Sequence, residues 1–251
     1  MTSETSEVET SPVSNGSRAL RIKVFADGAD KSRILKLADD PTIAGFTTNP
    51  TLMRSSGVQD YRTFAREILD NILSKPISFE VFADEPDEMY RQAKEIASWG
   101  SNVYVKIPVT NTKGESMAEL VHVLSHEGTQ VNVTAVFTTE QVAEIASALA
   151  RGAPSVISVF AGRIADTGVD PVPHMSECVR LAAHVSTAEI LWASPREVLN
   201  LYQADSVGCH IITMTPDLLA KVPYKGKDLL EFSKDTVKMF HTDAQAAGYN
   251  L

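Results

Sequence analysis

From Leu20 onward the chain alternates short apolar runs with longer stretches in which apolar residues recur every three or four positions. The short runs lie at 22–25, 43–46, 77–82, 103–109, 131–137, 156–160, 190–193 and 210–214, and their length and β-branched content predict eight strands. Between them, residues 61–72 place Phe64, Ile68, Leu69 and Ile72 on one helical face. Residues 89–99, 117–124, 139–149, 174–184 and 195–204 repeat that period, and 232–249 adds a C-terminal helix. Asp60, Thr138 and Ser194 stand where helix N-caps belong. Strand–helix alternation predicts a parallel sheet, and eight such units predict that it closes: a single-domain α/β fold, the (β/α)8 TIM barrel, over residues 18–251. An open doubly wound sheet is the alternative, but the first strand lacks the Gly-rich turn that such sheets use for dinucleotides.

Residues 1–17, MTSETSEVETSPVSNGS, have almost nothing apolar to bury and read as a disordered tail. They lack the basic start and apolar stretch of a signal peptide, and Glu4, Glu7 and Glu9 argue against a transit peptide. The composition of the full chain is globular, with 43% hydrophobic and 22% charged residues, enough to bury a core. The formal net charge of −9 argues against a nucleic-acid or anionic-membrane binder, while leaving room for one small basic pocket. Two cysteines, Cys178 and Cys209, make neither a disulfide framework nor a cysteine metal cluster. That suits a reducing compartment, so the expectation is a cytoplasmic protein. No run of about 18 apolar residues is present to span a membrane.

Candidate chemistry lies where polar residues interrupt the strands, because parallel strands are covered on both faces and an unpaired buried charge is costly. Lys106 sits within Val103-Tyr104-Val105-Lys106-Ile107-Pro108-Val109. Desolvation favours a neutral, nucleophilic amine able to form a Schiff base with a carbonyl. The bland alternative is a strand-end lysine with its head in water. Pro108 indicates that the strand is already ending, where barrel active sites lie. Glu80, in Phe79-Glu80-Val81-Phe82, is either a proton relay near that amine or half of a structural ion pair. Asp27 is a strand-end acid/base or ordinary Asp-Gly turn chemistry. Arg163 and Arg196 follow the sixth and seventh strands, where two guanidinium groups could clamp a phosphate. His122 and His126 are four apart on one helix face, but no acidic ligand accompanies them in a zincin-like spacing, so no metal site is expected. Trp192 and Phe160 are core or pocket-wall aromatics.

In this order, these residues and their surroundings resemble the transaldolase family of Schiff-base aldolases. The matching segments are Phe25-Ala26-Asp27-Gly28-Ala29-Asp30, Gly45-Phe46-Thr47-Thr48-Asn49-Pro50-Thr51, Val105-Lys106-Ile107-Pro108-Val109-Thr110, Asn132-Val133-Thr134, Ser158-Val159-Phe160-Ala161-Gly162-Arg163-Ile164 and Ala193-Ser194-Pro195-Arg196. The resemblance implies a barrel with the Schiff-base lysine on strand four, the place of Lys106. It implies Asp27 as acid/base and Glu80 with Thr134 as holders of the catalytic water. It implies Asn49, Asn132 and Ser158 around the sugar, and Arg163, Ser194 and Arg196 around its phosphate. No metal or other cofactor is implied. The reaction is transfer of a dihydroxyacetone unit from a ketose phosphate, sedoheptulose 7-phosphate or fructose 6-phosphate, to an aldose phosphate. The pentose phosphate pathway is the default setting, and relatives form homo-oligomers.

Close relatives that act as fructose 6-phosphate aldolases typically carry Gln in place of Glu80 and Tyr in place of Phe160. This chain has the transaldolase residue at both. A phenylalanine offers no hydroxyl to position a releasing water, which favours transferase over lyase. A lyase of that type, or a barrel that binds sugar phosphates without turnover, are the alternatives; the second predicts loss of Asp27, Glu80 or Lys106, and all three are present. A deoxyribose-phosphate-type aldolase would lack the Ile-Pro-Val-Thr that follows Lys106. Trp192 and Pro195 depart from the family pattern, and a bulky indole at the end of strand seven is expected to reshape the pocket.

Overall fold

Eight parallel strands close on themselves in sequence order in the computed structural model, which describes residues 19–149 and 152–249. The expected tail at 1–17 lies outside the described residues. The strands are β1 (Lys23–Asp27), β2 (Ile43–Thr47), β3 (Ile77–Glu80), β4 (Val103–Pro108), β5 (Val131–Val136), β6 (Ser155–Val159), β7 (Ala188–Trp192) and β8 (Ile211–Met214). The helices around them are α1 (Lys31–Ala38), α2 (Pro50–Ser55), α3 (Tyr61–Leu69), α4 (Pro86–Ala97), α5 (Ala118–His126), α6 (Thr139–Leu149), α7 (Ala161–Asp166), α8 (Pro171–Ala182), α9 (Leu199–Ser206), α10 (Pro216–Leu219) and α11 (Leu229–Ala247). This is the single-domain α/β TIM barrel that the alternation predicts.

The strands sort their side chains by parity, as a pleated backbone must. One set forms the main core between sheet and helices, including Ile77, Phe79, Val103, Val105, Val131, Val133, Ile190 and Trp192. The other set points to the barrel axis, where Phe25, Val156, Leu191, Ala193 and Ile211 pack with Ala44, Tyr104 and Phe160. Phe25 fills so much of this space that a Cβ on Gly45 would lie 2.6 Å from its ring. Two positions further along the inward face come Asp27 after Phe25, Lys106 after Tyr104, Ser158 after Val156 and Thr213 after Ile211. An apolar plug thus supports a polar layer at the carboxyl ends of the strands, where barrel active sites lie.

Side-chain caps fix several helix starts. Asp60 Oδ1 accepts from the Thr63 N–H at 2.8 Å, and Thr138 Oγ1 accepts from the Gln141 N–H at 3.2 Å, as the pattern predicts. Helices α2, α7 and α10 are too short, at 6, 6 and 4 residues, to show a period in sequence. Three expectations need correction. Ser194 is not a helix cap: α9 begins only at Leu199, and Ser194 takes a left-handed φ of 56° in the preceding loop. Strand β3 ends at Glu80 instead of continuing to Phe82, and the Phe82 and Ala83 N–H groups donate to Gln92 Oε1 on α4. Trp192 does not reshape the pocket: it is fully buried in the outer core, while its neighbours Leu191 and Ala193 face inward.

Candidate active site

A cavity of about 440 Å³ opens at the carboxyl end of the barrel, and Lys106 lies at its floor. Only 6% of Lys106 is exposed. Its Nζ donates to the Thr48 carbonyl at 2.9 Å and lies 3.2 Å from Glu80 Oε2. Parallel pairing places Glu80 beside Lys106, and Lys106 beside Asn132. The two alternatives for Glu80 therefore merge: its ion pair is with the candidate nucleophile. Such a pair is kept in a desolvated place at a solvation cost, which makes it a candidate for function over stability.

Asp27 faces the same cavity from the end of β1. Its Oδ1 accepts from Thr47 Oγ1 at 2.8 Å, and the Thr47 and Thr213 hydroxyls are in hydrogen-bond contact. Thr47 has one proton and gives it to Asp27, so Thr213 is the donor to Thr47. Burial pushes the Asp27 carboxyl above its usual range, against the pull of the Lys106 charge and the Thr47 bond. A carboxyl so shifted is suited to exchanging protons with a substrate.

On β5, Ala135 takes a left-handed φ of 57° and breaks the register with β6 between Val133 and Val136. This bulge interrupts the ladder beside Thr134, and both Thr134 and Ala135 line the cavity. Ser158 Oγ donates to Asn132 Oδ1 at 2.7 Å, and Asn132 Nδ2 donates to Ser78 Oγ at 3.0 Å. Ser158 lines the cavity; Asn132 is buried behind it, one layer removed from the wall. Asn49 is both wall and cap: its Oδ1 accepts from the Leu52 N–H at 2.9 Å to start α2, leaving its amide nitrogen available.

The opposite wall carries Phe160, Arg163 and Ser194. Gly162 makes this wall possible, because a Cβ there would fall 1.5 Å from the Ser194 carbonyl oxygen. Without one, the Gly162 N–H approaches the Ala193 carbonyl at 3.2 Å and α7 lies directly on the loop after β7. The Arg163 guanidinium sits over the Phe160 ring, 5.1 Å from its centre. Arg196 is not on the wall. Its Nε donates to Asp166 Oδ1 at 2.9 Å, and a second nitrogen pairs with Oδ2. Pro195 is likewise absent from the cavity lining.

Of the residues singled out in sequence, the fold brings Lys106, Glu80, Asp27, Thr134, Asn49, Ser158, Phe160, Arg163 and Ser194 around one cavity. Thr47 and Thr213, which also line it, were not singled out. Thr213 carries the signal used for Lys106, a polar residue inside an apolar strand. His122 and His126 stack 4.0 Å apart on α5, and among the described residues no group of three or more potential metal ligands occurs.

Residues 24–251 match the family described as Transaldolase/Fructose-6-phosphate aldolase. The chain belongs to this family. It is 34% identical over 218 residues to the probable transaldolase 2 of Listeria monocytogenes, covering 85% of this chain and 95% of that protein. It is 35% identical over 218 residues to the probable transaldolase of Streptococcus pyogenes, covering 85% and 97%. The probable transaldolase of Dehalococcoides mccartyi is 34% identical over 205 residues, covering 81% and 88%. This family member is therefore an enzyme of the transferase type. Among solved structures, 2,3-dimethylmalate lyase superposes with a TM-score of 0.55 at 13% identity, covering 91% of this chain and 84% of that one. A mandelate oxidase variant gives 0.52 at 13% identity, covering 80% and 66%. These two share the barrel fold. Among the described residues no helix is long and apolar enough to cross a membrane.

Proposed function

We propose that the enzyme moves a dihydroxyacetone unit between sugar phosphates through a Schiff base on Lys106. The observation that carries this reading is the Lys106 amine, 6% exposed, held between the Thr48 carbonyl and the Glu80 carboxylate beneath an open cavity. Glu80, 3.2 Å away, is placed to take the proton that the amine must lose before it attacks a ketose carbonyl. The carbinolamine expels water to give an iminium, with Glu80 and Thr134 holding that water and moving its proton. The iminium then accepts the electron pair of the adjacent carbon–carbon bond as Asp27 takes the proton from the neighbouring hydroxyl. The aldose phosphate leaves. The three-carbon unit stays on Lys106 until a second aldose phosphate accepts it, and hydrolysis frees the new ketose.

Asn49 and Ser158 bind the sugar hydroxyls, and Asn132 orients Ser158 from behind the wall. Arg163 and Ser194 bind the phosphate. Arg196 joins them by releasing Asp166, since an exposed ion pair of this kind contributes only about 0–1 kcal/mol. The donors are sedoheptulose 7-phosphate or fructose 6-phosphate, the setting is cytoplasmic carbohydrate metabolism, and no metal or cofactor takes part. Transfer is favoured over simple cleavage because Phe160, at the wall, has no hydroxyl with which to place a water against the bound three-carbon unit. The test is release of free dihydroxyacetone from fructose 6-phosphate with and without erythrose 4-phosphate. Turnover should depend on the acceptor; rapid release without it would show a lyase.

A further inference from the structure

The floor of the site is held by a residue that does not line it. The β2–β3 ladder runs from the Phe46 N–H to the Pro76 carbonyl and from the Thr48 N–H to the Ser78 carbonyl. The alternating pattern of a parallel pair puts the next rung between the Glu80 N–H and the Thr48 carbonyl. That rung is not made. The Thr48 carbonyl accepts from Lys106 Nζ instead, at 2.9 Å. The Glu80 N–H donates to the Tyr61 hydroxyl at 2.7 Å, and that hydroxyl donates to the Glu80 carbonyl at 3.0 Å.

Tyr61 reaches this gap from outside the barrel, as the first residue of α3. Its ring is fixed edge-on against Phe82 at 4.5 Å, Trp99 at 5.7 Å and Phe79 at 6.0 Å. Burial raises the phenol above its usual range, so it remains a donor as well as an acceptor. One hydroxyl thus satisfies both backbone groups of Glu80 where β2 has turned away into α2, and leaves the Thr48 carbonyl free.

We propose that Tyr61 is a positioning residue for the Schiff-base chemistry, replacing a rung of the sheet so that the Thr48 carbonyl and the Glu80 carboxylate can both face Lys106. The proposal rests on the reading of Lys106 and Glu80 as the reacting pair. Removing the hydroxyl strands the buried Glu80 N–H, whose nearest remedy is the vacated rung to Thr48. The Lys106 amine then loses its carbonyl anchor, while the phosphate wall across the cavity is untouched.

Tyr61→Phe keeps the ring and deletes the hydroxyl. Its kcat should fall about tenfold or more, with KM for fructose 6-phosphate within about twofold of the wild type. Because Tyr61 acts partly through Glu80, the double variant Tyr61→Phe/Glu80→Gln should lose clearly less activity than the product of the two single losses. A folded Tyr61→Phe enzyme with wild-type kcat, or losses that multiply with those of Glu80→Gln, would overturn the proposal. If Tyr61→Phe is not recovered folded, Phe82→Ala serves: Phe82 is more than half exposed and only steadies the Tyr61 ring. That variant should lower kcat with KM unchanged, and an unchanged kcat would reject the positioning role. Borohydride trapping of the wild type on Lys106 tests the underlying reading separately, so a wild type that traps normally beside an unaffected Tyr61→Phe condemns only the role of Tyr61.

Discussion

Lys106 and Asp27 line the same cavity but have different surroundings. Lys106 has an acceptor on two sides, so its position is fixed before substrate arrives. Asp27 is held by one hydroxyl chain, Thr213 to Thr47 to Asp27, and its carboxyl is raised by burial. A raised carboxyl costs stability as pH climbs: the unfolded chain ionises in the ordinary range near 4, and the folded one resists until the pH passes its higher value. Asp27→Asn should therefore melt at a higher temperature than the wild type at pH 7, with the advantage shrinking as pH falls towards about 4. The same variant should lose about 100- to 10,000-fold in kcat if Asp27 is the acid/base. Calorimetry across pH and steady-state kinetics check the two halves. For the phosphate, Arg163→Ala should raise KM for phosphorylated sugars far more than for unphosphorylated ones. Arg196→Ala should do the same to a smaller degree, because Arg196 must first leave Asp166. Equal effects on both substrate types would reject the phosphate role.

At the scale of elements, the site follows from strand parity. Once a strand is placed, its inward residues are every second one, and the last inward residue before the loop faces the cavity. That is why Lys106 and Glu80 were legible in sequence as polar breaks in apolar runs, and Asp27 as an acid at a strand end. The same rule explains what was not legible. Asn132 is inward too, but one layer lower, so polarity alone did not separate it from wall residues. Trp192 faces the helices because its parity is opposite to that of Ala193. The substitution of the Tyr61 hydroxyl for a sheet rung depends on where β2 bends away, which no local pattern encodes. The α7 wall depends on one close approach, which gives a direct test. Gly162→Ala would push a methyl into the Ser194 carbonyl. It should cost about 1–3 kcal/mol of stability, lowering the thermal midpoint by about 2–4 °C per kcal/mol for a domain of this size. It should also raise KM for phosphorylated substrates as Arg163 and Ser194 separate; a variant with unchanged midpoint and KM would contradict the packing.

Taken whole, the molecule is acidic, yet the basic side chains Lys106 and Arg163 line one cavity. Helix α11 gathers several exposed apolar side chains. That 19-residue helix buries none of its residues, and Leu229, Leu230, Val237, Met239 and Phe240 are exposed. Such an apolar face fits the expected homo-oligomer. Light scattering should find an assembly larger than 27.3 kDa, and Leu230→Glu with Phe240→Glu should reduce it towards the monomer; a monomeric wild type would refute this. The cavity chemistry itself stands or falls on the amine. The enzyme is incubated with fructose 6-phosphate, reduced with borohydride, digested and mapped by mass spectrometry. A reduced three-carbon adduct on Lys106, absent from Lys106→Arg, is the predicted result. An adduct on another lysine, or none with any ketose phosphate, would contradict the mechanism.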